Sequence, residues 1–177
     1  MANNSAISKS IANITNWIDK INERIGIVGG STIIVLTILV MVFEIIARYI
    51  FNSPTRFSLE AAIMFQVLIA AFASGYVLKE EGHISIGFIV ERVSERVRNW
   101  MLFASSIVGV FYCAILSSQV WNVAIWNLKI MKYSENMGIP ITYIQFILFA
   151  GLVLLSLQFL ARMYKYYRLA NGIEKEG

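Results

Sequence analysis

The chain is poor in the residues that most often carry chemistry. It has one cysteine, Cys113, set inside an apolar run, so it forms no internal disulfide and no CxxC redox pair. Its one histidine, His83, excludes a bis-histidine haem within the chain. Charged residues make up 15% of the sequence and hydrophobic ones 58%, with a mean hydropathy of +0.66. A soluble domain of this length carries more charge and fewer apolar residues. The apolar runs contain no paired carboxylates, no Ser/His/Asp set, no glycine-rich phosphate loop and no Walker motif. The interrupted helices and inverted repeats of a self-contained secondary transporter are missing as well.

What remains is a set of long apolar segments, the mark of an integral membrane protein. The net charge of +4 and pI near 9.3 do not indicate nucleic acid. The basic residues flank apolar runs, which points to the membrane surface and its phospholipids. Residues 1–24 do not read as a signal peptide. Ile7, Ile11, Ile14, Ile18, Ile21 and Ile25 recur at helical steps while Lys9, Asn13, Asn16, Lys20 and Glu23 take other faces. The pattern predicts an amphipathic helix over 6–24, lying in the membrane interface or packed on a partner.

Four spans follow at 25–50, 57–78, 100–128 and 140–163, each of membrane length and expected to tilt. Ala70, Ala71, Ala73, Ser74 and Gly75 in the second form a small-residue cluster suited to close helix packing. Between the second and third spans, 84–98 alternates Ile86, Ile89, Val90 and Val93 with Glu91, Arg92, Glu95 and Arg96, predicting a second interfacial helix. Trp100, Trp121 and Trp126 bracket the third span at headgroup level. Pro140 opens the fourth, and 164–177 is an aromatic and basic tail. The expected fold is all-α: four long tilted transmembrane helices plus two amphipathic interfacial ones, in a single membrane domain. Most Lys and Arg share the side of the termini, whereas Arg48, Arg56, Lys129 and Lys132 face the other. The positive-inside rule then makes the N and C termini cytoplasmic.

The stretch from Glu44 to Glu60 concentrates charge beside the hydrocarbon, where it needs a partner. Glu44 and Arg48 stand one helical turn apart, the spacing of an intrahelical ion pair. Asn52-Ser53-Pro54 stops the first helix, Ser58 can cap the second, and Glu60 in its first turn favours the dipole's positive end. Glu44, Arg48, Arg56 and Glu60 therefore read as structural ion pairing around a Pro54 joint. An intramembrane carboxylate can also couple proton movement, so a small proton-coupled exporter using Glu44 is the alternative. A quinone or haem anchor is a third reading, weakened by the lone His83. Glu80, Glu81 and His83 are too few for a metal site and read as an interfacial turn. Gln66, Gln119, Gln145 and Gln158 lie within spans as candidate interhelical hydrogen-bonding groups.

In order and spacing, Arg48-Tyr49-Ile50-Phe51-Asn52-Ser53-Pro54, Phe57-Ser58-Leu59-Glu60, Gly82-His83-Ile84-Ser85-Ile86 and Met137-Gly138-Ile139-Pro140, with Leu160-Ala161-Arg162 closing the last span, form a recognisable series. In these blocks, over about 29–167, the chain resembles the DctQ-like small membrane subunit of tripartite ATP-independent periplasmic (TRAP) transporters. It departs from the family at Phe57, where Trp is frequent, at Leu59, where a second acid is frequent, and at Gly87, where Asp is frequent. Those departures argue against a fixed catalytic role there. The resemblance implies a multi-pass protein of the bacterial inner membrane with no enzymatic activity and no cofactor of its own. It implies that this subunit braces a large membrane subunit, where the sodium ions would bind. It further implies a periplasmic binding protein that delivers an organic acid, of the sialic acid or C4-dicarboxylate type. Arg48, Asn52, Arg56, Lys129 and Lys132 are the candidate docking residues for that protein.

Overall fold

The computed structural model describes residues 15–79 and 94–172. Within them lie four helices: α1 (Thr15–Tyr49), α2 (Ser58–Lys79), α3 (Glu95–Lys129) and α4 (Ile141–Ala170). All four are long and apolar enough to cross a membrane. At ~1.5 Å per residue α1 and α3 extend ~52 Å, well beyond the ~30 Å hydrocarbon layer, so they tilt or project from it.

The helices run past the charge-based boundaries of the expected spans. Thr15–Arg24 is not a separate interfacial helix but the first turns of α1, which continues through a π-helical turn at Ile25–Gly29. Glu95–Arg98, expected in the second interfacial helix, is the first turn of α3. α4 continues past Met163, the expected end of the fourth span, to Ala170, taking in part of the aromatic and basic tail. The physical reason is common to all three. Charge marks where hydrocarbon ends, whereas backbone hydrogen bonding continues into the headgroup layer as long as nothing interrupts it. Residues 6–14 and 84–93, along with Glu80, Glu81 and His83, lie outside the described residues.

The helices pack in the spatial order α1, α2, α4, α3. Small residues set the close approaches. Gly26 in the π-helical turn lies against Tyr76 of α2, where a Cβ would stand 2.4 Å from the Tyr76 Cβ. Ala71 of α2 meets Gly151 of α4 so tightly that a Cβ on Gly151 would lie 2.7 Å from the Ala71 carbonyl oxygen. Part of the small-residue cluster therefore packs as its spacing suggests, through Ala71 and Gly75, while Ala70 is exposed. Between α3 and α4 the seam is aromatic. Phe103 meets Tyr167 at 5.7 Å, and Trp121 lies 5.8 Å from Phe146 and 5.1 Å from Phe149, centroid to centroid. Hydroxyls at span depth bond back to their own helices, Thr32 to the Val28 carbonyl and Thr37 to that of Ile33, each at 2.7 Å, which spares them an unmet polar group in lipid.

The α1–α2 and α3–α4 turns share one end of the molecule, joined by a hydrogen bond from the Asn136 N–H to Glu60. In the α3–α4 turn Gly138 holds φ at 65°, a left-handed conformation that an L side chain resists. It lets the Ser134 N–H reach the Ile139 carbonyl at 2.8 Å and sets Tyr133 opposite Pro140 in a single antiparallel bridge. Pro140 immediately precedes α4 as its N-cap residue.

Candidate functional site

The turn from α1 to α2 is built around one carboxylate. Asn52 adopts φ 49°, a left-handed conformation that its short polar side chain tolerates, and the Ser53 N–H then bonds the Ala47 carbonyl at 3.0 Å. This folds Thr55 back onto α1. Glu44, buried to 10% side-chain exposure, receives Arg48 on one oxygen, with Nη2 at 2.8 Å and Nε at 3.2 Å. Its other oxygen receives the Thr55 N–H at 3.1 Å and the Thr55 hydroxyl. The same hydroxyl meets that of Ser58, which is fully buried. Phe43 and Phe57 stack at 6.3 Å. With two donors on each oxygen, the carboxylate has its acceptor capacity filled.

The expected charged quartet divides in two. Glu44 and Arg48 pair as their spacing predicts. Glu60 does not join them and instead accepts the Asn136 N–H at 2.9 Å, tying the start of α2 to the α3–α4 turn. Glu60 stands in the first turn of α2, where its charge favours the helix dipole, and from there it also cross-links the two turns. Ser58 turns its hydroxyl towards Thr55. Asn52, Arg56, Lys129 and Lys132 are exposed at this same end, and among the described residues none of the three cations forms an ion pair. Pro54 is exposed in the joint.

A second polar knot lies at the end of the termini. Gln158 of α4, 4% exposed, accepts the Asn22 side-chain N–H at 2.7 Å and donates to the Asp19 carboxylate at 2.7 Å. Gly75 of α2 sits beneath Asn22, where a Cβ would lie 2.5 Å from the Asn22 amide oxygen. Three helices therefore converge on one glutamine. Gln145 likewise bonds across helices, accepting from Asn127 at 3.1 Å. Among the described residues Gln66 and Gln119 form no such bond, and both are exposed. Thr55, Asn22 and Asp19 escaped the sequence reading. Thr55 carries no periodic signal, and the other two sit in a stretch whose isoleucine stripe drew attention to its apolar face.

The family model for tripartite ATP-independent periplasmic transporters, DctQ component, matches residues 37–169, about three-quarters of the chain. The chain belongs to the DctQ family. It is thus the small membrane component of a TRAP transporter and a multi-pass inner-membrane protein. Comparison with individual curated proteins brings no match. The matched region of this DctQ component takes in the Glu44 joint, the Glu60 cross-link and Gln158, and begins after Asp19 and Asn22.

Proposed function

We propose that this DctQ component is a non-catalytic brace for the large membrane subunit of its transporter. In this role it supports sodium-driven uptake of an organic acid handed over by a periplasmic binding protein. The observation that carries the reading is the saturated Glu44 carboxylate. A coupling residue must exchange a proton or cation during each cycle, and a carboxylate held by Arg48 and Thr55 on both oxygens is suited to fixing an angle. Glu60 does the same between the two turns. A rigid end of this kind fits a subunit that stays still while another moves.

With cytoplasmic termini the two turns face the periplasm. Asn52, Arg56, Lys129 and Lys132, with the half-exposed Arg48, then form a cationic edge for the binding protein to dock on. Sodium is assigned to the large subunit, and the substrate class is an acid of the sialic acid or C4-dicarboxylate type. The test is reconstitution of the large subunit in liposomes with the substrate-loaded binding protein, with and without this chain. Uptake is expected only with the chain present. Full-rate uptake without it overturns the brace.

A further inference from the structure

The first turns of α1 carry charges of both signs, Asp19, Lys20, Glu23 and Arg24, and the fold divides them by sign. The acids are half-buried and engaged: Asp19 accepts Gln158 of α4 at 2.7 Å, and Glu23 has a partner of its own. The cations are exposed, and among the described residues neither forms a hydrogen bond or an ion pair. Lys20 and Glu23 stand at a spacing that would let them pair, yet they do not, which leaves the ammonium available. Lys20 and Arg24 are one turn apart, and Trp17, 66% exposed, precedes Lys20 by one turn, a residue type that settles at headgroup level. Next along the helix comes the π-helical turn Ile25–Gly29, a local widening that is frequent at functional sites. Here Ile27 and Val28 are both exposed. Lys20, Glu23, Arg24, Ile27 and Val28 line a groove of about 340 Å³, charged at one end and apolar at the other.

Deeper in the span the exposed residues, apart from the small Ser31 and Thr32, are Ile34, Val35, Leu36, Ile38 and Leu39. The Thr32 hydroxyl is already spent on the Val28 carbonyl. An occupant of this face must meet two unpaired cations at headgroup level and then a nearly continuous apolar surface. Acyl chains match the second requirement alone. A zwitterionic headgroup brings a cation of its own, which Lys20 and Arg24 repel. A phospholipid of net negative charge matches both, and basic groups at this depth attract such headgroups. The geometry points to a bound anionic phospholipid, with its phosphate on Lys20 and Arg24 and an acyl chain running over Ile27 and Val28 along α1. With cytoplasmic termini the lipid belongs to the inner leaflet. The assignment is independent of the brace reading, and it gives the subunit a lipid anchor at the end opposite the two turns.

The test titrates the full-length chain, freed of lipid in mild detergent, with phosphatidylglycerol and with phosphatidylcholine of the same acyl chains. Bound lipid is counted by native mass spectrometry. Phosphatidylglycerol is expected to bind the wild type more tightly. Lys20→Gln/Arg24→Gln should lower that affinity roughly thirtyfold, the combined effect of two cations on an anionic lipid, and leave phosphatidylcholine unchanged. The variant should melt like the wild type, because neither side chain has a partner within the described residues. Lys20→Arg/Arg24→Lys should keep the preference, as should Lys129→Gln/Lys132→Gln, which removes the same charge at the opposite end. In native membranes containing the assembled complex, p-benzoylphenylalanine at position 28 is expected to form an adduct with lipid. No preference in the wild type, an undiminished affinity in the Lys20/Arg24 variant, or an equal fall in the Lys129/Lys132 variant overturns the assignment. So do equal falls for both lipids, and so does an adduct of position 28 with the large subunit or with a second copy of this chain.

Discussion

Gly151→Ala adds one methyl group at a close backbone approach between α2 and α4. The new Cβ would lie 2.7 Å from both the Cβ and the carbonyl oxygen of Ala71, and 2.8 Å from its Cα. Carbon contacts settle at ~3.5–4.0 Å, so the helices must part by about 1 Å. Two of the three clashing atoms are backbone, and no rotamer change relieves them. Overpacking of this kind costs ~1–3 kcal/mol. Exchanging Gly for Ala within a helix returns ~1 kcal/mol, which would mask part of the loss. Gly30→Ala supplies the correction, since a Cβ there meets nothing within 4 Å. The two variants should therefore differ by ~1–3 kcal/mol, or roughly 2–12 °C in Tm at the few degrees per kcal/mol typical of a chain this size. Cys113 offers a built-in probe. It is the sole cysteine and 0% exposed, so a fluorogenic maleimide reports loss of packing during a thermal ramp in mild detergent. Adding Ala71→Gly to Gly151→Ala should restore only part of the loss, because the Ala71 carbonyl stays in the way. Gly151→Ala melting level with or above Gly30→Ala would refute the close approach and the reasoning built on it.

Thr55→Val should loosen the α1–α2 joint more than Arg48→Ala. It strips the hydroxyl shared by Glu44 and Ser58, whereas the Arg48 side chain is 56% exposed and easily replaced by water; equal melting temperatures would contradict this ranking. Gln158→Leu should cost about 1–2 kcal/mol, as it leaves Asn22 and Asp19 without their interhelical partner, and unchanged resistance to denaturation by SDS would count against the knot. Glu60→Ala should speed hydrogen exchange at the Asn136 amide, whose acceptor it removes, with little effect at Ile50, whose N–H bonds the Ile46 carbonyl.

The sequence disclosed those features that depend on local spacing. Glu44 and Arg48 pair because four residues make one turn, and Ala71 and Gly75 pack because small side chains at that step line one face. The contacts that make the joint specific were hidden for the same reason. Thr55 lies 11 residues from Glu44 and Asn136 lies 76 from Glu60, and no periodicity links either pair. Gln158 was legible as a group seeking a partner, but not which helix would supply one. Its partners Asn22 and Asp19 stand on the first turns of α1, where an isoleucine stripe is equally compatible with lying on a membrane or continuing into it. Hydropathy marked the apolar spans, and the helices run on past them wherever backbone hydrogen bonding continues. Gly151 drew no notice, since a lone glycine within an apolar run reveals its role only when the facing residue is known.

The spatial order α1, α2, α4, α3 differs from the order in which the ribosome delivers the helices. α3 is made before α4, yet α4 is its main neighbour. When α3 leaves the translocon, the buried Asn127 does not yet have Gln145 of α4 to bond, and the groove at Ala71 is still open. Both vacancies close in one event, when the last helix slides between α2 and α3. Translation arrested before Ile141 would leave the Asn127 amide without Gln145 and the Ala71 groove uncovered. The last helix made is thus the one that joins the two halves of the row.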